Sequence, residues 1–207
     1  MASIVHLRST TDFELLLRET NHRCCNDLQM VVSLLALQSR KATDPGVARD
    51  FADVMERVAV LARARRGLHD GHTPSLDVAL RELCHALHAQ AEPRSIRIGL
   101  VSGLPIEGLS GHCITTLVLV VNELATNALK HAFHDRDAGQ IVVAVRRNGN
   151  RDVVVTIVDD GLPFPDIAPA NPGLGLELAR RMMASINGML IAPLQGSKMF
   201  ELRLPLR

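Results

Sequence analysis

Residues 11 to 41 contain no glycine or proline, and their apolar side chains recur at the three- and four-residue steps of one helix face. Turn-forming residues follow at positions 43 to 46, and a second apolar stripe then continues to about residue 69. The sequence therefore predicts two amphipathic helices, of about 30 and about 23 residues, joined as a hairpin. The two stripes consist of Leu28, Val31, Val32 and Leu35, and of Val47, Phe51, Val54, Val58, Leu61 and Leu68.

Pairing within one hairpin would leave part of each apolar stripe in contact with water. Two hairpins that pack together form a four-helix bundle, in which both stripes are covered. We therefore expect a homodimer that is held together by this region.

The first helix also carries a polar stripe, which is formed by His22, Asn26, Gln29, Ser33 and Arg40. These residues fall within a narrow arc at about 100° per residue, so His22 is expected to face water. A neutral imidazole has a free lone pair and can act as a nucleophile toward a phosphoryl group, with Asn26 one turn away to orient it. The alternative is a surface histidine without a function, one of nine in the chain.

The rest of the chain alternates between helical and strand-like patterns. Two β-branched runs, IVVAV and DVVVTIV, are separated by NGN, which predicts a β-hairpin. The other predicted elements are a helix at 75–92 with Leu76, Leu80, Leu83 and Leu87 inward, a strand at IRIGLV, helices at 111–133 and 173–187, and short strands around GMLIAP and MFELRLPL. This order predicts an α+β sandwich with helices on one face of a mixed sheet, so that a hairpin domain, 1–70, precedes a second domain, 71–207.

The long predicted helix carries a polar ridge. Glu123, Asn127 and His131 are spaced by four, with Lys130 beside them, and apolar residues occupy the opposite face. A carboxylate, a carboxamide and two potential cations suit a hydrated Mg²⁺ and a polyphosphate, because Mg²⁺ keeps several waters and takes few protein ligands. The alternative is an ordinary solvated helix face.

Two glycine-containing segments follow this helix. The run DVVVTIV leads into Asp159, Asp160 and Gly161, which places a carboxylate at a strand end, where a glycine allows close approach of a ligand. Gly173 and Gly175 then open a helix, whose unpaired N–H groups favour a phosphate. Together with the polar ridge, these segments predict a nucleotide site.

The segment HRCCNDLQ resembles the phosphoacceptor segment HRxxNxLQ of HisKA_2-like two-component sensor histidine kinases. NELATNALKHAF, VDDG and GLGL, in that order, resemble the catalytic ATP-binding domain of the same family, whose fold is shared by gyrase, Hsp90 and MutL. The resemblance covers about residues 12 to 206, which is nearly the whole chain.

This resemblance implies a role for each residue of the site. His22 corresponds to the phosphoacceptor, Asn127 to the asparagine that holds Mg²⁺ with Glu123 beside it, and Asp159 to the aspartate that binds the adenine amino group. The other implied nucleotide contacts are Lys130, His131, Gly161, Gly173, Leu174, Gly175, Leu176 and Ser197.

The sequence departs from the family pattern in two places. The segment DDGLPFPD lacks the second glycine of the usual DxGxGxP, and only eleven residues separate Gly161 from Gly173, so the ATP lid is short and proline-rich. Cys24 and Cys25 stand where related proteins often have an aliphatic and a basic residue. Because the four cysteines show no CxxC spacing, this pair is expected to be reduced, with one thiol packed and one partly exposed.

The composition and the net charge limit the classes of partner that this chain is expected to have. A formal net charge of +1 gives no reason to expect nucleic acid or an anionic membrane as a partner. No apolar run approaches the ~20 residues of a membrane span and there is no signal peptide, so a cytoplasmic protein is expected. Only about ten residues precede the first predicted helix, so either a separate sensor protein supplies the signal or the chain is an excised core.

We therefore expect a protein-histidine kinase that uses ATP and Mg²⁺ to autophosphorylate His22 and then transfers the phosphoryl group to an aspartate of a response regulator receiver domain. One alternative is a phosphotransferase or phosphatase module with a weakened ATP site, which the short lid supports. A second alternative is a serine-kinase or anti-sigma module of the same ATPase fold, which would not need an exposed histidine on a long hairpin.

Overall fold

The computed structural model describes the chain except for residues 1, 41–42, 68–74, 134–135, 137, 150, 163–173, 194–196 and 207. Within the helices, the side chains of residues 2–18, 21–22, 49, 63–67 and 174 also lie outside the description. The chain divides into two compact units, Met1–Thr73 and Pro74–Arg207.

The first unit is a hairpin of two helices, α1 (Ala2–Ser39) and α2 (Pro45–Gly67), which pack against each other. Cys25, Val60 and Ala62 are buried, and the Cys25 thiol donates to the Ala62 carbonyl oxygen at 3.6 Å. The predicted hairpin is confirmed, but the prediction that the first helix begins near residue 11 was wrong. No glycine or proline interrupts residues 2–10, so the helix extends to Ala2.

Helix α2 begins inside the segment that was predicted to be a turn. The Asp44 side chain accepts a hydrogen bond from the Gly46 N–H at 2.7 Å, and Pro45 is the first helical residue. A proline is tolerated at this position because its missing N–H would have no partner in the helix, while the aspartate supplies an acceptor for the first turn. The turn residues at 45 and 46 therefore start the helix.

The outer surface of the hairpin keeps a polar arc and an apolar face. Asn26, Gln29, Ser33 and Arg40 are exposed, as predicted, whereas the side chain of His22 lies outside the described residues. Apolar side chains are also exposed, and the largest of them are Met30, Val31, Leu34 and Leu37 on α1 and Val47 and Val54 on α2. Pairing within one chain thus leaves apolar surface uncovered.

The second unit is a mixed five-stranded sheet with helices beside it. Its elements are α3 (Leu76–Ala91), a 3₁₀ turn (Glu92–Arg94), β1 (Ile96–Ser102), α4 (Gly111–His131), β2 (Gly139–Asn148), β3 (Asp152–Asp159), α5 (Leu174–Ser185), β4 (Met189–Ile191) and β5 (Met199–Pro205). The strand order is β1-β2-β3-β5-β4; β1 runs parallel to β2, and the other neighbours are antiparallel. The predicted α+β fold is confirmed, although α4 and α5 each end two residues earlier than predicted.

The core lies between one face of the sheet and the helices. Ile141, Val143 and Val145 alternate along β2 as buried residues, and in β3 Val155 and Ile157 pair with two of them. The predicted inward face of α3 is confirmed, since Leu76, Leu80, Leu83 and Leu87 are all buried.

Helix α4 runs through this core. It is long and apolar enough to cross a membrane, contrary to the expectation that no apolar run approaches that length, but 61% of its most apolar window is buried inside the structure. Ser110 caps its N-terminus by accepting from the Cys113 N–H at 3.2 Å. Among the described residues α4 is therefore a core helix, and only its first turn and its last turns reach the surface.

Candidate nucleotide site

The carboxylate at the end of β3 is held by its own turn. Asp159 is the last residue of the strand and pairs with the buried Ile141, so it lies on the helix-facing side of the sheet. Its Oδ1 accepts a hydrogen bond from the Gly161 N–H at 3.0 Å. Burial raises the pKa of Asp159, the Gly161 N–H and the Lys198 ammonium lower it, and Asp160 raises it again. The net shift is upward, as is common for acids in functional clefts.

The turn after β3 packs directly on the end of α4. The Leu162 N–H donates to the Ala132 carbonyl oxygen at 2.8 Å. A Cβ at Gly161 would lie 2.6 Å from the Cβ of Ala132 and closer still to its carbonyl oxygen, so the contact requires a glycine. The Asp159 turn therefore adjoins the last turns of α4, which carry the predicted metal and phosphate ligands.

The predicted polar ridge of α4 is only partly at the surface. Asn127 is half-buried and Lys130 and His131 are exposed, but Glu123 is buried, with 6% of its surface accessible. The alternative of an ordinary solvated helix face therefore does not hold at Glu123. Almost every residue from Ile114 to Ala125 is buried, because the helix crosses the core there and emerges only after Ala125.

An arginine that was not identified from the sequence holds the end of α4. Arg94 donates Nη1 to the Leu129 carbonyl oxygen at 2.8 Å and Nη2 to the Phe133 carbonyl oxygen at 2.6 Å. These carbonyls belong to the last turn of a helix or follow it, where no intrahelical donor is available and the helix dipole attracts a cation. Arg94 lies in a 3₁₀ turn before β1, and its residue type and spacing give no signal of this contact.

A second missed residue is Lys198, whose Nζ donates to the Gly161 carbonyl oxygen. Its neighbour Ser197, the predicted adenine contact, is half-buried, and its hydroxyl accepts from the Met199 N–H at 3.2 Å. Both residues lie beside the end of β3, because Met199 pairs with Val158. The sequence signal that could have identified Lys198 was its position next to Ser197.

The predicted phosphate-binding helix start is described in part. Gly173 and the rest of the predicted lid, residues 163–172, lie outside the described residues, and α5 begins at Leu174. Gly175 is buried, Leu176 is half-buried, and α5 packs against α4. The first N–H groups of α5 thus belong to the helix layer that contains Asn127.

In the first unit, the turns of α1 around residue 22 present mainly exposed polar side chains, which are Glu19, Thr20, Arg23 and Asp27. Arg23 forms an ion pair with Glu19 at 3.0 Å. Cys24 is half-buried and Cys25 is buried, and both are free thiols, as predicted. Within the described residues, no group of three or more His, Cys, Asp or Glu side chains is placed to hold a metal ion.

Two family profiles match the chain. The HisKA_2 family, described as histidine kinase, matches residues 19–91, and the histidine kinase-like ATPase domain matches residues 90–188. The first match extends past the hairpin to the end of α3, whereas the compact units meet after Thr73. Together the matches cover most of the chain.

Similar curated proteins are sensor kinases. The chain is 31% identical over 185 residues to the sensor histidine kinase PdtaS of Mycobacterium tuberculosis, covering 84% of this chain and 36% of that protein. It is 30% identical over 175 residues to the blue-light-activated histidine kinase 1 of Erythrobacter litoralis, covering 83% of this chain and 47% of the relative. The chain thus spans less than half the length of these relatives.

Solved structures show the same fold. The EL346 blue-light activated histidine kinase of Erythrobacter litoralis superposes with a TM-score of 0.66 at 20% identity, over 89% of this chain and 59% of that one. Its separate histidine kinase domain superposes with a TM-score of 0.61 at 22% identity, over 96% of this chain and 94% of that domain. From the family profiles, the sequence relatives and this shared fold, the chain belongs to the two-component sensor histidine kinases, with a HisKA_2-type segment followed by a histidine kinase-type ATPase domain.

Proposed function

We propose that this chain is an ATP- and Mg²⁺-dependent protein-histidine kinase that phosphorylates its own His22 and passes the phosphoryl group to an aspartate of a response regulator receiver domain. The observation that supports it best is the Asp159 turn: a half-buried carboxylate with a raised pKa, oriented by the Gly161 N–H and packed on the end of α4. Membership of the histidine kinase family supplies the reaction class.

The residues present fit a purine nucleotide with its polyphosphate. Asp159 Oδ1 already accepts from Gly161, so Oδ2 would accept from the exocyclic amino group of adenine. The exposed Lys130 and His131 would contact phosphate oxygens, together with N–H groups at the start of α5. Ser197 would lie near the base.

Mg²⁺ would be held by the half-buried Asn127, with the buried Glu123 one turn behind it. Mg²⁺ binds with few protein oxygens beside waters and phosphate oxygens, so one amide oxygen is a sufficient protein ligand. When bound, the ion would neutralise charge on the phosphates during transfer.

The phosphoryl step would use His22 as the nucleophile. A ring nitrogen attacks the γ-phosphorus, the P–N bond forms, and the bond to the bridging oxygen breaks as ADP leaves. Asn26, one helical turn away and exposed, would orient the imidazole. A receiver aspartate would then take the phosphoryl group from the nitrogen and restore the free imidazole.

The hairpin would supply a homodimer interface through its exposed apolar side chains, including Val31 and Leu34. We further propose that the kinase is cytoplasmic, that a separate sensor protein is one of its partners, and that neither nucleic acid nor a membrane is a partner.

Incubation of the purified chain with γ-labelled ATP and Mg²⁺ tests this proposal. The label should be acid-labile, as expected for a phosphohistidine, and the His22→Gln variant should lose it. His85→Gln, which changes an exposed histidine of α3, is the matched control and should keep the label. Acid-stable label, or label that persists in His22→Gln, would contradict the proposal.

A second function, a phosphotransferase or phosphatase module, is favoured by one feature of the sequence. Only eleven residues separate Gly161 from Gly173, and the second glycine of the family pattern is missing. Insertion of a glycine-containing segment between them should speed autophosphorylation and leave transfer to a receiver unchanged, because a longer lid would orient the γ-phosphate better. If the native chain binds no ATP at millimolar concentration, the phosphotransferase function replaces the kinase.

A further inference from the structure

A lysine connects the last strand of the sheet to the turn that follows β3. Lys198 lies in the segment before β5, and its Nζ donates a half-buried hydrogen bond to the Gly161 carbonyl oxygen. The contact forms where the two strands pair, since Val158 lies opposite Met199. Lys198 is thus anchored beside the end of β3 by the sheet itself.

Both backbone polar groups of Gly161 are hydrogen-bonded. Its N–H donates to Asp159 Oδ1 at 3.0 Å and its carbonyl oxygen accepts from Lys198, while Ala132 closes the space beside its Cα. The carboxylate and the ammonium are therefore linked through a single glycine. A displaced Lys198 would loosen the turn whose N–H orients Asp159.

The charge of Lys198 also acts on the carboxylate. Burial raises the pKa of Asp159, the Gly161 N–H and then the Lys198 ammonium lower it, and the neighbouring Asp160 raises it. Arg136, from the connection between α4 and β2, donates Nη1 to the Asp160 backbone carbonyl at 2.7 Å. Among the described groups that act on Asp159, Lys198 supplies a full positive charge that opposes the effect of burial.

We propose that Lys198 is a positioning residue of the adenine subsite, which keeps Asp159 oriented and ionised as the acceptor for the amino group of adenine. This inference rests on the proposed function. An ionised carboxylate offers only acceptors, whereas a protonated one presents a donor that can oppose the N–H of the base. Lys198 acts through Gly161 and Asp159 and need not touch the nucleotide.

Three variants separate the hydrogen bond from the charge. Lys198→Arg keeps both a donor and a charge, Lys198→Gln keeps a donor without the charge, and Lys198→Met removes both. The dissociation constant for MgATP is measured by calorimetry for each variant, at several values from about pH 5 to about pH 8. Thermal unfolding without nucleotide establishes that each variant is folded.

The expected results follow from the sign of the charge effect. In the wild type, affinity is full where Asp159 is ionised and falls as the pH drops through the pKa of Asp159. Without the cation that pKa is higher, so Lys198→Gln and Lys198→Met should lose affinity at a higher pH than the wild type. Lys198→Met should also bind about tenfold more weakly at neutral pH, because it loses a hydrogen bond to a charged group. Lys198→Arg should behave as the wild type.

Arg151→Met is the matched control. It removes one exposed cation just before β3, about 25 Å from the Asp159 end at the usual rise per strand residue, and should change neither affinity nor its pH dependence. Wild-type affinity and pH dependence in Lys198→Met would overturn this inference and leave the proposed kinase intact. A wild-type chain that binds no ATP would overturn both.

Discussion

At the scale of single residues, the candidate site contains a carboxylate whose charge is disfavoured by burial and a position that accepts only glycine. Asp159 is held half-buried, where its charge is disfavoured, and Gly161 fits where no other residue would. Strained or disfavoured positions of this kind are frequent at functional sites.

We expect the Asp159→Asn variant to unfold at the same or a higher temperature than the wild type at neutral pH, and to lose ATP affinity. The folded pKa of Asp159 is raised, so ionisation weakens the native state above that pKa. The amide keeps an acceptor for the Gly161 N–H but presents the wrong group to adenine.

Thermal scans and calorimetry measure both effects. The difference in stability between the wild type and Asp159→Asn should shrink as the pH falls toward the ordinary pKa of aspartate. The folded wild type then carries a protonated Asp159, which is uncharged like the amide of the variant. Asp160→Asn, an exposed neighbour, is the control and should retain ATP binding. A strongly destabilised Asp159→Asn variant would mean that the carboxylate has a structural role.

Gly161→Ala should destabilise the second unit by about 1 to 3 kcal/mol and abolish ATP binding, because the new Cβ would overlap Ala132 at the end of α4. Denaturant unfolding measures the first effect and calorimetry the second. Gly99→Ala is the matched control, since a Cβ at that strand position meets nothing within 4 Å. Equal destabilisation in the two variants would show that the Ala132 contact is unimportant.

At the scale of the secondary-structure elements, the position of the C-terminal end of α4 determines where the candidate metal and phosphate ligands lie. Arg94 from the turn before β1 and Leu162 from the turn after β3 both bond its last carbonyls. Gly139 at the start of β2 leaves room for the Phe133 ring, which a Cβ there would overlap. Three separate segments therefore fix the turns that carry Asn127 and the exposed cations.

Arg94→Ala should lower the free energy of unfolding by about 1 kcal/mol, because the substitution removes two charge-assisted hydrogen bonds to the end of α4. The loss is modest because Arg94 is exposed. Hydrogen exchange should accelerate at the end of α4, and the affinity for ATP should fall with it. Arg97→Ala, an exposed arginine of β1, should change none of these quantities. Unchanged exchange in Arg94→Ala would show that other contacts suffice to hold the helix end.

At the scale of the whole molecule, the two units differ in how completely they bury their apolar surface. The second unit encloses a core between its sheet and helices, with α4 largely buried. The hairpin leaves Met30, Leu34 and Leu37 more than half exposed. An apolar helical face of this kind is typical of an interface with another chain.

We expect the wild-type chain to be dimeric by light scattering at tens of micromolar, and the double variant Val31→Glu, Leu34→Glu to be monomeric. Burying two carboxylates in an apolar interface is strongly unfavourable. The variant should still bind ATP, since the second unit has a core of its own. Gln29→Glu, on the polar arc of the same helix, is the control and should remain dimeric. A monomeric wild type would contradict the proposed homodimer.

Much of the fold could be predicted from the sequence because it depends on local periodicity. The four inward leucines of α3 and the alternating residues of β2 and β3 lie where their spacing predicts, and NGN lies between the paired strands. The order of helices and strands was enough to predict the mixed sheet. The positions of Asp159 at a strand end and of Asn127 on the long helix were predicted in the same way.

Tertiary structure alone decided which polar residues reach the surface and which distant segments meet. Glu123 has the same helical spacing as Asn127, yet it is buried because the core extends along α4 as far as Ala125. Lys198 contacts Gly161 across 37 positions of the chain, and Arg94 contacts Phe133 across 39. Helical and strand periods relate a residue only to its close neighbours in the sequence, so they cannot predict contacts that form when the sheet brings remote segments together.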